Sequence, residues 1–507
     1  MGIKKHTISF QIIFFILFFL EVFPVWYFTY FPTHDGPAHI YNSYVLKSFF
    51  TEMPPRLDEY FKLNALPFPN WASHPFMATL MLIFSPLVAH KIFLTFIIIL
   101  FPLSIFYFLE SVKQGTSIYV LLGFLFNYHF MLHIGFYNFA LSAPFYFFTV
   151  GYFWKHKGNF DIKKIMVLTF LFLATYFCHM ITFVLLMLSV TLLVCTSQYR
   201  NPERLLRYLA GLVPFYLIMV IFILQFTIGE QKEYFTTRHW LGYFFDIRSL
   251  VYHTNTHLFI TRSLIVMIAI LFIVTIYRIT YKKKTARSEY HFLILALFLT
   301  GLYFVLPGRL ASGAMLNDRV HFFIFLVLLP FLHEDFSKAV RSMLVALMIL
   351  LCIGHIAISY RYYYILNKGL QEFTSGRHLI ENNKTILALS SDWWNYDETE
   401  VHYLEPFVQA ANYYCLGTGG VNLGNYEAQF DYFPINWKKK HTGKIDYVIA
   451  WKLENDITLS TDAEGGTVHK IDLLALRRSL DSEYDLIYSS GKNLKLYRHK
   501  SLAHQGR

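Results

Sequence analysis

The sequence is poor in charge. Only 15% of its 507 residues are Asp, Glu, Lys or Arg, whereas 55% are hydrophobic. An ordinary soluble domain has about 25% charged residues, so this deficit excludes the usual water-soluble globular class. The 53 Phe and 36 Tyr residues agree with that conclusion. The sequence therefore predicts an integral membrane protein.

Cysteines and common enzyme motifs are also scarce. Four cysteines, three of them in apolar runs, exclude a disulfide framework. No zinc motif, phosphate-binding loop or nucleophile elbow occurs in the sequence. The net charge of +11 does not form a basic stripe with a recognisable motif, so we expect no nucleic-acid partner. Any functional site has to be built from scattered residues.

Long apolar runs fill the first 361 residues. A helix that crosses a membrane needs roughly 20 apolar residues. The first run is long enough and ends without a small-residue cleavage site, so it predicts a retained signal anchor. We expect about 11 spans, at residues 7–31, 91–110, 116–134, 138–154, 165–180, 181–197, 205–227, 259–280, 289–306, 319–335 and 339–361.

The distribution of Lys and Arg predicts the orientation. With Lys4 and Lys5 inside, the basic loops all fall on the cytoplasmic side, at 155–164, 197–207, 277–290 and 333–341. The short apolar segment 74–90 is predicted to lie at the outer interface, so that 32–90 form a first external loop. The N-terminus is then cytoplasmic and the C-terminus extracytoplasmic.

The composition becomes polar and mixed after residue 361. Strands are predicted at 384–391 and 446–453, a hairpin at 484–500, a turn at 461–470 and a helix at 470–480. The predicted fold class is a polytopic α-helical membrane protein. It comprises a transmembrane domain at 1–361 and a small extracytoplasmic α/β domain at 362–507.

The first carboxylate beyond the first span is Asp35, in "PTHDGPAHIYNSY". One interpretation is an N-cap for the next helix, with Pro37 in its first turn. The other is a general base or a ligand to a divalent cation. The two interpretations are compatible, because capping would also fix the carboxylate's orientation.

Several further ionisable groups are expected at the same outer side. Arg is suited to bidentate phosphate binding, and His offers a hydrogen bond or a charge. The alternatives are packing histidines and an Asp318–Arg319 pair that neutralises itself or anchors a helix end. We predict a water-facing cavity shared with Asp35, whose substrate- or phosphate-binding residues are His34, His39, His74, His133, His179, Arg309, Asp318, Arg319 and His321.

Aromatic residues of the C-terminal region suggest a second kind of contact. Such side chains stack on sugar rings, but they are more often packing groups, and we favour packing here. The residues concerned are Trp393, Trp394, Tyr426, Tyr432 and Trp437.

The arrangement resembles the GT-C superfamily of polytopic membrane glycosyltransferases, which includes protein O-mannosyltransferases and aminoarabinose transferases. "THDGPAH" is similar to their first-loop acid, and "SHPFMATLMLIF" to their His-Pro juxtamembrane stretch. The tail, with "GNYEAQFDYFPINW", is similar to the extracytoplasmic domain of bacterial members. The resemblance covers the arrangement of most of the chain, but its motifs are short.

The resemblance implies transfer of a sugar from a polyprenyl-phosphate-linked donor to a glycan, lipid or protein acceptor at the outer face of the cell membrane. Asp35 would be the base or a metal ligand, and the cofactor, if any, a divalent cation such as Mg²⁺ or Mn²⁺. Some members carry paired acids here, whereas Asp35 is flanked by His34 and Gly36. Asp58 and Glu59 are a weaker second acidic candidate.

Three other functions remain open. A flippase for lipid-linked sugars, or another transporter, would place ionisable residues near mid-membrane and pair broken helices between two halves. A non-catalytic membrane scaffold would tolerate replacement of the outer His and Arg residues. An O-acyltransferase would use His179.

Overall fold

The computed structural model describes residues 8–66, 68–115, 117–226, 237–282, 289–309, 314–397, 399, 401–438, 445–453, 458–459 and 473–503. The predicted turn at 461–470 and part of the basic loop at 277–290 lie outside these residues. The helices are α1 (Ile8–Tyr27), α2 (Gly36–Phe49), α3 (Pro55–Tyr60), α4 (Ser73–Leu80), α5 (Pro86–Lys113), α6 (Leu121–Leu125), α7 (Phe130–His133), α8 (Tyr137–His156), α9 (Ile162–Cys178), α10 (Met180–Gln198), α11 (Pro202–Phe226), α12 (Thr237–Phe245), α13 (Leu258–Lys282), α14 (Tyr290–Val305), α15 (Leu316–Leu328), α16 (Lys338–Phe373), α17 (Asn412–Cys415), α18 (Leu473–Glu483) and α19 (Lys500–Ala503).

Six helical segments in the described part of the chain are long and apolar enough to cross a membrane. They are Phe10–Tyr27, Pro86–Lys113, Met180–Gln198, Pro202–Leu224, Asn255–Tyr281 and Lys338–Leu379. The expected count of about 11 is not confirmed. Helices α9, α14 and α15 coincide with predicted spans, but their 17, 16 and 13 residues extend only about 20–26 Å, less than the roughly 30 Å of a bilayer core. The chain is nonetheless a multi-pass helical membrane protein by its composition and its helices.

The predicted span at 116–134 is not one helix. Its described part consists of a 3-10 turn (Ile118–Val120), α6 and α7, with non-helical residues between the two helices. In that gap the Asn127 amide donates to the Ile98 carbonyl oxygen at 2.7 Å and to the Glu21 carboxylate at 2.6 Å. These bonds tie the interruption to α1 and α5.

The chain divides into two compact units. The helical unit comprises residues 1–22, 96–131 and 138–358. The sheet unit comprises residues 23–95, 132–137 and 359–507. The first predicted external loop and the C-terminal region therefore belong to one unit, whereas the sequence suggested a single division at residue 361.

The sheet unit contains strands β1 (Phe61–Leu63), β2 (Thr385–Ser390), β3 (Val421–Asn422), β4 (Ile435–Trp437), β5 (Tyr447–Trp451), β6 (Thr458–Leu459), β7 (Tyr484–Ser489) and β8 (Leu494–His499). The main sheet has the order β3-β2-β5-β8-β7, and β6 pairs with β2. Strands β2 and β5 are parallel, with Leu387 opposite Val448, and β8 is antiparallel to β5 and β7. Every residue of β2 and β5 is buried, which is typical of central parallel strands. These strands occupy the predicted positions.

The first loop is tied to the C-terminal region by a small second sheet. Strand β1 pairs with β4 in antiparallel fashion, so that Phe61 lies opposite Trp437. The two rings stack with centroids 4.6 Å apart. The Tyr41 hydroxyl donates to the Gly420 carbonyl oxygen at 2.8 Å. Helix α2 is thereby fixed against the 420–437 segment, and Trp437 is a packing residue.

Candidate functional site

Asp35 occupies the N-cap position of α2, and Pro37 lies in the first turn of that helix. Among the described residues, however, its carboxylate makes no capping hydrogen bond to α2. The residue is only 3% exposed. Burial of a carboxylate is costly unless polar groups compensate for the lost water. Capping alone therefore does not account for the buried carboxylate.

One ionisable partner of Asp35 is His34. The His34 Nε2 atom lies 3.5 Å from Asp35 Oδ1. The Glu405 backbone N–H donates to His34 Nδ1 at 3.3 Å, and this bond makes Nδ1 the acceptor. Burial lowers the pKa of His34 to about 4, so the ring is neutral at pH 7. Its proton is then on Nε2, the nitrogen that faces the Asp35 carboxylate.

The backbone around Asp35 is held by the segment 133–135. The amide of His34 donates to the His133 carbonyl oxygen at 3.1 Å, and the amide of Asp35 donates to that of Ile134 at 3.0 Å. Gly135 has φ +88°, and a Cβ atom there would lie 2.6 Å from the Gly36 amide nitrogen. Only glycine fits this close crossing. The position of the Asp35 backbone is thus fixed by two hydrogen bonds to a segment whose close approach requires glycine at position 135.

One turn after Asp35, helix α2 presents the first member of a buried histidine–glutamate cluster, His39. His74, in the first turn of α4, and Glu427, at the start of a 3-10 turn (Glu427–Gln429), complete it. His39 Nδ1 lies 3.3 Å from His74 Nε2 and 3.0 Å from Glu427 Oε1. His74 Nε2 lies 2.9 Å from Glu427 Oε2. All three residues are at most 3% exposed.

Amide and hydroxyl groups surround the His39–His74–Glu427 cluster. The Asn42 amide, three residues beyond His39 on α2, lies 3.0 Å from Glu427 Oε2 and 3.0 Å from Asn425 Oδ1. The Asn425 amide in turn donates to Asn42 Oδ1 at 2.9 Å. Ser73 Oγ lies 3.4 Å from His74 Nδ1. The cluster members are therefore oriented by fixed polar groups.

Burial sets the charges of the cluster. It lowers the pKa of His39 to about 4, against the attraction of Glu427, and it lowers the pKa of His74 to about 3. It raises the pKa of Glu427 to about 7, against the opposing effects of His39 and of the Asn42 hydrogen bond. Both imidazoles are neutral at pH 7, and the carboxyl group is close to its titration midpoint.

Aromatic rings line the cluster. The His39 ring stacks on Tyr137 with centroids 5.3 Å apart, and the Phe433 ring lies edge-on to His74 at 5.7 Å. The Tyr137 hydroxyl is 2.6 Å from His90 Nε2 and 3.2 Å from Thr33 Oγ1. These rings exclude water and strengthen the electrostatic interactions inside the cluster.

His133, a predicted phosphate ligand, contacts the Tyr363 hydroxyl through Nε2, and the two rings stack at 5.7 Å. Its backbone also holds His34, as described above. The side chain therefore packs within the sheet unit, in line with the alternative of a packing histidine.

In the helical unit, two predicted phosphate ligands form a pair. His179 separates α9 from α10, and Arg319 lies in the first turn of α15. Arg319 Nη1 is 3.2 Å from His179 Nε2. Because a guanidinium cannot accept a hydrogen bond, Arg319 donates to Nε2. The other ring nitrogen, Nδ1, caps α10 and lies 3.4 Å from both the Thr182 backbone N–H and Thr182 Oγ1. The pair is buried, with 6% and 7% exposure.

The remaining predicted residues of the helical unit have other surroundings. His321 contacts the Phe244 carbonyl oxygen and Ser249 Oγ, each at 3.2 Å, as is typical of a packing histidine. Asp318 interacts electrostatically with Arg248 as well as Arg319. Arg309 is exposed.

The structure thus groups the ten predicted residues by unit. Asp35, His34, His39, His74 and His133 belong to the sheet unit, and His179, Arg309, Asp318, Arg319 and His321 to the helical unit. One cavity shared by both groups stays a prediction. Residue Glu427 was missed, although an acid within the aromatic-rich "NYEAQFDYF" was an available signal. Asp58, the weaker acidic candidate, is a surface residue paired with Lys438 at 2.8 Å.

Comparison with known proteins adds no family. No family model matches the sequence, and no curated protein matches it. The functional interpretation therefore depends on the residues themselves.

Proposed function

We propose that the chain is a multi-pass membrane glycosyltransferase that moves a sugar from a polyprenyl-phosphate donor to a hydroxyl group of a glycan, lipid or protein. The general base is Asp35. The observation that supports this role is its buried carboxylate, which faces the His34 ring and is not used to cap α2. Buried carboxylates beside a specific ionisable partner are concentrated at functional sites.

The reaction is an inverting displacement at the anomeric carbon. The acceptor oxygen forms a bond to that carbon while the bond from the carbon to the phosphate oxygen breaks. The acceptor proton passes to Asp35, and polyprenyl phosphate leaves with its negative charge. General base catalysis of this kind accelerates a reaction by about 10²–10⁴-fold. The His34 Nε2–H orients the carboxylate.

The His179–Arg319 pair is the proposed phosphate ligand. A guanidinium has five N–H donors in a planar fork, and phosphate oxygens are the acceptors that fit it best. The bond to His179 fixes the plane of the fork, while the neutral ring leaves the positive charge of Arg319 in place. A buried cation of this kind suits the phosphate group of a lipid.

The proposed location is the cell membrane, with the N-terminus cytoplasmic and the sheet unit extracytoplasmic. Six candidate spanning helices support a membrane location. The positive charge of the four basic loops supports this orientation, which needs an odd number of crossings and therefore shorter helices such as α9 among them. Lipid-linked sugars used at that face carry a polyprenyl chain, which matches a protein embedded in lipid.

Release of polyprenyl phosphate by the purified protein tests the proposal directly. The donor panel is a set of polyprenyl-phosphate sugars, each offered with membrane-lipid and glycan acceptors. We expect release with at least one donor, and Asp35→Asn should lower the rate about 10²–10⁴-fold. The matched control is Asp485→Asn, which removes a partly exposed carboxylate of β7 and should leave the rate unchanged.

Two results would count against the assignment. Full activity of a folded Asp35→Asn variant would remove Asp35 from the mechanism. No release with any donor, from protein that elutes as a single species, would remove the transferase itself.

A transporter is the second candidate, because a buried acid lies inside a candidate span. Glu21 belongs to Phe10–Tyr27, is 1% exposed and accepts from Asn127 at 2.6 Å. Ionisable residues inside membrane spans often mark transport pathways. Uptake of a fluorescent lipid-linked sugar into proteoliposomes, lost in Glu21→Gln but retained in Asp35→Asn, would favour transport over transfer.

A further inference from the structure

The His39–His74–Glu427 cluster brings three potential metal-binding groups together from three distant parts of the chain. Their donor atoms all lie within 4.8 Å of one another, and all three side chains are buried. His39 contributes Nδ1, His74 contributes Nε2, and Glu427 turns one oxygen toward each ring. Such convergence is the geometric requirement of a metal site.

The distances match the size of a tetrahedral zinc site. With Zn–N and Zn–O bonds of about 2.0–2.1 Å, two donors of a regular tetrahedron are about 3.3–3.4 Å apart. The two nitrogens are 3.3 Å apart, and the nitrogen–oxygen distances are 3.0 and 2.9 Å. The nitrogen pair already has the required spacing, and both nitrogen–oxygen distances are shorter than that spacing by only a few tenths of an ångström.

A network of hydrogen bonds alone explains the arrangement less well. Both nitrogens face the carboxyl group, so with Glu427 ionised each would have to carry a proton and donate. The same two nitrogens face each other at 3.3 Å, where two N–H groups repel. A cation bound between them removes this conflict, because both nitrogens and the carboxylate then act as lone-pair donors.

The surroundings support metal-ligating roles for both rings. Ser73 Oγ contacts the other nitrogen of His74, and the His39 ring makes a hydrogen bond to the Gly135 backbone. The Asn42 amide contacts Glu427 Oε2. Metal-binding histidines and carboxylates are commonly held in this way by an outer ring of hydrogen bonds.

We propose that His39, His74 and Glu427 bind one divalent transition-metal ion, with Zn²⁺ as the expected occupant. Two imidazole nitrogens favour zinc over Mg²⁺ and Mn²⁺, which prefer oxygen ligands. Two His and one Glu are also the protein ligands of one class of catalytic zinc sites, in which a water or substrate oxygen takes the fourth position. The site does not depend on the proposed sugar transfer.

Metal content of the full-length protein is the primary test. The protein is produced with a tag that contains no histidine, purified in detergent and analysed by elemental mass spectrometry before and after dialysis against a chelator. We expect one zinc per chain, removed by strong chelation and restored by added Zn²⁺. Substitution with Co²⁺ should give the intense visible absorption of a four-coordinate site with nitrogen and oxygen ligands.

Two ligand variants and one control localise the ion. His74→Gln and Glu427→Gln should each weaken Zn²⁺ affinity by more than about 100-fold, because loss of an outer partner alone costs about 10–100-fold. The control is His378→Gln, an exposed histidine of the same unit, which should bind zinc as the wild type does. Affinity is measured by competition with a chromophoric chelator.

Wild-type protein without stoichiometric zinc, or with a Co²⁺ spectrum typical of six oxygen ligands, would overturn the proposal even if the ligand variants failed to fold. Folded variants that bind zinc as tightly as the wild type would also overturn it. None of these measurements uses transferase activity, so failure of the metal site and failure of the proposed function are distinguishable.

Discussion

The two units of the molecule each bury histidine beside an ionised or ionisable partner, but the partners have opposite charge. In the sheet unit, His39 and His74 lie beside the carboxyl group of Glu427. In the helical unit, His179 lies beside the guanidinium of Arg319. Both groups of side chains are almost fully buried. The charge of the histidines' partner therefore distinguishes the two sites, and solvent exposure does not.

This difference determines what each site can bind. A carboxylate with two neutral imidazoles offers lone pairs and attracts a cation. A guanidinium held by a neutral imidazole offers N–H donors and attracts an anion. In the helical unit, His179 orients the guanidinium. In the sheet unit, the nitrogens of His39 and His74 offer lone pairs directly to the cation. A list of histidines at membrane edges therefore does not assign one role to all of them.

Replacement of one charged residue in each unit should separate zinc binding from binding of the lipid-phosphate donor. These are the largest effects that we expect. Glu427→Gln should abolish most zinc binding. Binding of the lipid-phosphate donor should stay intact when excess zinc is supplied. Arg319→Gln should raise the KM for the lipid-phosphate donor about 10–100-fold, because a hydrogen bond to a charged group contributes about 1.5–3 kcal/mol. Zinc content should not change in Arg319→Gln.

Arg341→Gln is the control for loss of positive charge, since Arg341 is an exposed residue of α16. Its KM should equal that of the wild type. An Arg319→Gln variant with unchanged KM would show that the two histidine sites do not divide into a cation site and an anion site.

A smaller effect is expected from the amide that supports Glu427. Asn42→Ala removes a donor 3.0 Å from Glu427 Oε2, and zinc affinity should fall about 10-fold. Asn436→Ala is the matched control, because Asn436 is another buried amide of the sheet unit and donates to the Phe430 carbonyl oxygen. Competition with a chelator measures both. Equal losses in the two variants would indicate a general effect on folding.

The smallest effect concerns Glu405, an acid whose charged neighbour is Asp392. Burial, and then repulsion from Asp392, raises the pKa of Glu405 to about 7. The folded chain therefore keeps this proton at pH values where the unfolded chain has lost it. The stability contributed by the neutral carboxyl group is complete below the unfolded pKa of about 4.3 and is lost as the pH rises through about 7.

Glu405→Gln should consequently reduce the fall in apparent Tm between pH 5 and pH 8 by about 1–2 °C. The substitution keeps the backbone N–H that donates to His34. Glu52→Gln, at an exposed position, should follow the wild-type pH dependence. Thermal unfolding in detergent, monitored by intrinsic fluorescence, measures both. A Glu405→Gln variant with the wild-type pH dependence would show that the proton is not held in the folded state.

Much of the helical architecture was predictable, because the length of an apolar run indicates whether a helix can cross the membrane. Helices α5, α10, α11 and α13 lie where spans were expected. The segment 116–134 was not predictable as a broken helix, since the break depends on Glu21 and Ile98, which lie outside the segment. A window of sequence does not contain that information.

The candidate site was predictable only in part, because a stretch of sequence does not show which distant residues join it. The sequence indicated Asp35, His39 and His74 as site residues, since all three follow the first span and precede the second. It did not indicate Glu427, which lies 353 positions after His74. The pairing of β1 with β4 brings these parts of the chain together, and hydrophobic pattern predicts strands far better than it predicts their partners.

That separation along the chain also sets an order of events during synthesis. At about 5–20 residues per second, the ribosome adds Glu427 roughly 20–70 s after His74. For that interval the two histidines have been made and the glutamate has not, so the cluster cannot close on a nascent or truncated chain. A closed cluster therefore shows that translation has passed residue 427.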